Sequence, residues 1–180
     1  MKYLMSLLLL ITVNSAWSFE GGVSGGGGNT LSPRAPSYPV DPETAEHMIY
    51  NARGVLKNYL TLKKQAYLVG ALPIEQMAAF APVFSAKARV EDTIEKAHLH
   101  VSDRHACKDE NNNPVDGSTI TPTPNSICIS AYNISRKVDV SDITPQSAAL
   151  MLHEYGELVG LSEDQAVKVQ SAALSELRGM

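Results

Sequence analysis

The stretch from Thr144 to Gln170, TPQSAALMLHEYGELVGLSEDQAVKVQ, constrains the fold more than any other part of the chain. Thr144-Pro145 is a helix-start signal, a capping residue followed by a proline preset for the first turn. Ala148, Met151, Leu152, Tyr155, Leu158 and Val159 then recur on one side of a helical wheel, as a core stripe does. Gly160 is suited to end that helix in a sharp turn, since it alone takes positive φ without a Cβ penalty. Ser162 and Gln165 spell a capping box for a last helix that runs to about Leu177, burying Ala166, Val169, Ala173 and Leu177. The first helix carries His153-Glu154-Tyr155-Gly156-Glu157. His153 and Glu157 are four residues apart, so they stand one above the other on one face, where two ligands can grip one ion.

Written out, HEYGELVGLSE resembles the metzincin signature H-E-x-x-H-x-x-G-x-x-H/D, with Glu at the second and third ligand positions. The resemblance covers about eleven residues. It implies that His153, Glu157 and Glu163 hold a divalent metal, the turn at Gly160 swinging the third ligand back to the first two. It also implies that Glu154 is the water-activating base. The gluzincins, whose last ligand is a Glu on the following helix, are similar in another way, because Glu163 begins such a helix. One imidazole with two carboxylates is a harder donor set than the family pattern. Zinc is the first expectation, and manganese, iron or calcium suit the set about as well.

The competing reading is an ordinary amphipathic helix, with His153, Glu157, Gln146 and Gly160 on a solvated face opposite the apolar stripe. Against it, Ala149, Leu150, Gly156 and Leu161 border that polar strip, and the helix has no Lys or Arg.

Met1 to Ser18 reads as a secretory signal peptide, with Lys2, an apolar run from Leu4 to Val13 and a small-x-small site at Ala16-Trp17-Ser18. That run is too short to span a bilayer, and nothing else is apolar enough for stable membrane insertion. Residues 19–40 read as a flexible leader rich in Gly and Pro. Residues 41–180 are left for a single domain. Asp41-Pro42 predicts a helix to about Lys64, and Leu72-Pro73 opens a second, from Ile74 to Phe80, which Pro82 should interrupt. A third spans Ala86 to Lys96.

After Lys96 the pattern turns to strands, His98-Leu99-His100-Val101 and Ser126-Ile127-Cys128-Ile129-Ser130-Ala131. Between them DENNNPVDGSTITPTPN reads as a surface loop. Cys107 and Cys128 flank it, and an even pair in an exported chain predicts a disulfide. His98 and His100 share a strand face and, with His105, are a rival source of metal ligands. Asn133-Ile134-Ser135 is formally a glycosylation triplet, and a polar linker follows it.

These elements predict a mostly helical α+β domain with a small β-hairpin or sheet before the motif helix. The net charge of −4 offers no basic stripe for nucleic acid. The functional expectation is an exported, periplasmic or secreted zincin-like metal-binding protein, a metallohydrolase acting on peptide bonds if catalysis accompanies binding. The alternative is a non-catalytic envelope or secreted interaction module that has lost the metal. Its partner would be a peptide or protein.

Overall fold

The computed structural model describes residue 31 and residues 36–85 and 89–180. The expected signal peptide and most of the leader lie outside the described residues. The leader's end is anchored: the Tyr38 amide donates to Asp139 Oδ1 at 3.0 Å, and the buried Leu31 amide donates to Asp116 Oδ2 at 3.4 Å.

Helix α1 (Pro42–Leu68) begins as its sequence dictates, with the Thr44 amide donating to Asp41 Oδ1 at 2.8 Å. It runs past Lys64 and ends before Gly70, whose φ is +69°. Ala45, Ile49, Ala52, Leu56, Tyr59 and Leu60 form its buried stripe. Helix α2 (Ile74–Phe84) corrects one expectation, since Pro82 lies inside it and does not interrupt it. The proline removes one amide donor, but only Val83 and Phe84 follow it. Aromatic contacts hold that last turn on α1, Tyr59 to Phe80 at 6.1 Å and Tyr67 to Phe84 at 5.3 Å. Helix α3 (Val90–Lys96) begins later than the predicted segment, because Arg89 is left-handed at φ +48°; residues 86–88 lie outside the described residues.

Five strands follow: β1 (His98–Ser102), β2 (Cys107–Lys108), β3 (Pro114–Val115), β4 (Gly117–Ser118) and β5 (Ser126–Ser130). One sheet has the order β1-β5-β4. In it β1 runs parallel to β5 with His100 opposite Cys128, and β4 runs antiparallel with Gly117 opposite Ile129. Strands β2 and β3 make a separate antiparallel pair. The fold class is the α+β arrangement expected.

The polar stretch between the cysteines is not wholly a surface loop, because Val115, Asp116, Gly117 and Ser118 are buried. Two constraints draw it inward. The Cys107–Cys128 disulfide, with Cα atoms 5.9 Å apart, ties its start to β5. The buried Asp116 carboxylate accepts from Asn133 Nδ2 at 2.8 Å and from Lys137 Nζ at 2.6 Å. Asn133 Nδ2 also donates to the Val115 carbonyl at 3.2 Å, so the nitrogen that a glycan would need is engaged in holding the loop.

The expected polar linker is largely helical. Helix α4 (Ala131–Lys137) is capped where the Asn133 amide donates to Ser130 Oγ, and it buries Ala131, Ile134 and Ser135. A short 3-10 turn, Val140–Asp142, leads into α5 (Ile143–Leu158), one residue ahead of Thr144, and α6 (Glu163–Leu177) ends the chain's helices. Helix α5 lies among α1, α6, β5 and β4. Among the described residues no helix is long and apolar enough to cross a membrane.

Replacing both Cys107 and Cys128 by Ala should lower the unfolding free energy by about 3 kcal/mol, because closing a loop of this length restricts the unfolded chain. Urea melts of the oxidised and substituted proteins measure this; equal midpoints would show that the cross-link adds nothing.

Candidate metal centre

The turn between α5 and α6 builds the site. Val159 ends α5, Gly160 takes φ +93°, the Gly160 amide donates to the Glu157 carbonyl at 2.8 Å, and the Leu161 amide donates to the Gly156 carbonyl at 2.9 Å. This is a Schellman motif, and it reverses the chain at the residue where only glycine avoids strain. Gly156 helps in another way: a Cβ there would meet Leu161 Cδ2 at 3.1 Å, so its absence lets Leu161 close over the turn. Ser162 caps α6 in a reciprocal capping box with Gln165, as the sequence predicts. Glu163, the first residue of α6, is thereby returned to the side of α5.

His153 Nε2 lies 3.4 Å from Glu163 Oε2 and 3.7 Å from Glu157 Oε2. The three residues named from the motif are therefore neighbours. Their setting corrects the amphipathic expectation, because α5 is buried on every side from Ser147 to Gly156 and His153 is 0% exposed. Glu157 and Glu163 keep 12% and 20% of their side-chain surface, so the cluster meets solvent only at its carboxylate end. Neither His153 nitrogen, nor Glu157 Oε2, nor Glu163 Oε2 has a partner in good hydrogen-bond geometry. Buried polar atoms are rarely left so.

The electrostatics show the same tension. Burial pushes the His153 imidazole below its ordinary 6.5, and the nearby Glu163 carboxylate and Gln170 side chain only partly oppose it. Burial also pushes the Glu157 carboxyl up to about 8, with Glu163 adding to the shift. A neutral imidazole forms no salt bridge, so these contacts do not balance charge within the protein. A divalent cation would satisfy one imidazole lone pair and two carboxylates together, which is the test of fit this donor set passes.

Glu154 is 0% exposed, and among the described residues the one group of three converging potential ligands is His153, Glu154 and Glu157, with atoms all within 4.8 Å of one another. Glu154 is thus near enough to be a ligand itself, and Glu163 reaches the same imidazole from α6. On its other side Glu154 meets β4: a Cβ built on Gly117 would lie 2.5 Å from Glu154 Oε1 and 3.0 Å from its Cδ. His98 and His100 are exposed on β1, and His105 uses its carbonyl to accept from Ser102 Oγ at 2.7 Å; none of the three belongs to the group.

Sequence reasoning missed Gly117 and Gln170. Gly117 gave no signal, since its partner is remote along the chain. Gln170 lies seven residues after Glu163 and so on the same helix face, a spacing that could have flagged it. No family profile, curated protein or solved structure matches the chain.

Two outcomes follow from this geometry. Folding raises the Glu157 carboxyl from 4.5 to about 8, so its stabilising effect is complete below pH 4.5 and disappears as pH climbs through 8. His153 has a lowered value and acts the other way, costing stability as pH falls below 6.5. Between pH 6.5 and 8 the Glu157 effect stands alone. The metal-free protein should lose stability across that window in thermal melts, and Glu157→Gln should flatten the slope. Separately, Gly117→Ala should cost about 1–3 kcal/mol through overpacking against Glu154. The cost should shrink in a Glu154→Ala background; an unchanged cost in that double-mutant cycle would show that the two residues do not press on each other.

Proposed function

We propose that the α5–α6 junction binds a divalent metal ion, zinc foremost, through His153, Glu157 and Glu163, and that this is an exported metal-binding protein. The observation that carries the reading is the convergence of a buried imidazole and two carboxylates whose facing atoms lack hydrogen-bond partners. The local likeness of HEYGELVGLSE to the zincin signature supports it, as does a turn at Gly160 of the kind that signature requires. Export rests on the signal-like start and is compatible with the disulfide. A bound cation would neutralise the two carboxylates and link α5 to α6.

Protein purified without chelator should carry close to one equivalent of metal by elemental analysis, and His153→Ala should remove it. Wild-type protein with no metal above background, and no uptake of added zinc in a calorimetric titration, would overturn the proposal.

A second reading, a metallohydrolase acting on peptide bonds, is favoured by the placement of the Glu154 carboxylate within 4.8 Å of the His153 and Glu157 ligand atoms. There Glu154 takes the proton of an attacking water. The packing of β4 on Glu154 weighs against it, because a Cβ added at Gly117 would already lie 2.5 Å from Glu154 Oε1, so β4 closes over that carboxylate. On this reading Glu154→Gln abolishes peptide hydrolysis and leaves the metal bound. If wild-type protein holds metal but cleaves no peptide, the non-catalytic interaction module remains.

A further inference from the structure

His153, Glu154 and Glu157 all stand on α5, and Glu157 lies four positions from His153 and three from Glu154. It is therefore the next-turn neighbour of both. The structure closes this triangle, since one potential ligand atom of each residue lies within 4.8 Å of the other two. Glu163 adds a fourth group from α6, with its Oε2 3.4 Å from His153 Nε2, while Glu157 Oε2 is 3.7 Å from the same nitrogen. Two donors held by one tetrahedral ion at about 2.0–2.2 Å each stand roughly 3.3–3.6 Å apart. The imidazole and those two carboxylates already have nearly that separation.

Burial separates the two roles open to Glu154. A general base must meet both an exchangeable water and a substrate, and a ligand needs neither. Glu154 and His153 are 0% exposed, whereas Glu157 and Glu163 keep 12% and 20% of their side-chain surface. Solvent thus reaches the cluster past Glu157 and Glu163, and Glu154 belongs to its closed end. Strand β4 backs it there: a Cβ on Gly117 would lie 3.0 Å from Glu154 Cδ, which leaves no room for a substrate between the carboxyl group and the strand.

We infer that Glu154 is a fourth ligand, so that His153, Glu154, Glu157 and Glu163 enclose the ion in a closed site of the structural kind. This rests on the metal reading and goes beyond it, because it removes the position that a reactive water would occupy. Structural zinc sites have four protein donors, whereas catalytic ones have three and keep one position open. Three carboxylates exceed the charge of a divalent ion by one, and the excess is shared with water at the Glu157 and Glu163 end. The ion then joins α5 to α6 and, through the contact of Glu154 with β4, to the edge of the sheet.

The experiment uses the full chain, freed of metal and titrated with zinc(II) and with cobalt(II). Glu154→Gln keeps the size of the side chain and removes its charge. It should weaken zinc binding by more than about 100-fold, beyond the loss typical of residues that only orient a ligand, and should alter the visible absorption of bound cobalt. The hydrolase reading expects the opposite, with the metal still bound. Azide probes for an open coordination position: it should leave the wild-type cobalt spectrum unchanged and change that of Glu154→Gln, where a ligand has been lost. A zinc affinity of Glu154→Gln within about 100-fold of wild type, a cobalt spectrum unaltered by that substitution, or an azide response in wild type would overturn the inference. Should Glu154→Gln fail to fold, the azide response of wild type still decides. Wild-type protein that takes up neither zinc nor cobalt sinks the metal reading itself, whereas wild-type protein that binds both and responds to azide sinks the fourth ligand alone.

Discussion

Two carboxylates and an imidazole removed from water at one helix junction are the constraint around which the rest of this structure is arranged. Each of those groups would be cheaper to leave hydrated, and burial alone drives the imidazole toward neutrality and Glu157 toward protonation. The fold nevertheless encloses His153 fully, because α1, α3, α6, β4 and β5 all pack against α5. Such a cluster costs stability when its carboxylates are charged and unpartnered. Under the proposed metal reading, a divalent cation would satisfy the imidazole and both carboxylates together.

The arrangement depends on two turns made by residues of opposite character. Gly160 reverses the backbone at φ +93°, and Ser162 restarts the helix immediately, so that Glu163 comes back beside His153 with no loop to blur its position. On the far side of α5, Gly117 contributes by having no side chain. The edge strand β4 can then lie directly on Glu154, held there by the disulfide at Cys128 on β5 and by the Asp116 contacts to Asn133 and Lys137. The same packing that positions Glu154 also limits access to it. Binding and catalysis therefore make different demands on β4, since binding tolerates a closed wall and catalysis needs that wall to admit substrate.

Much of this was readable in the chain and some was not, and the division follows from the range of the interactions. The start of α1, the return at Gly160 that ends α5, the capping box that starts α6 and the cysteine pairing all follow from residues within a few positions of one another or from a unique pair. Pro82 misled because a proline near a helix end costs one hydrogen bond that ring packing on α1 offsets. The region after Ser130 misled because α4 is short and is stabilised by packing its buried face, not by a long periodic pattern. The wheel of α5 misled most, since a helix surrounded by other elements has no solvated face for polar residues to mark.

The sequence by itself determined which groups share a helix face, where the chain turns and which sulfurs pair, because those are matters of local stereochemistry and count. Only the tertiary structure decided that His153 and Glu154 are sealed from water and that Gly117 is the surface Glu154 meets. Those facts arise from elements far apart in the chain being pressed together, and burial is a property of the assembled core that no short window of residues contains.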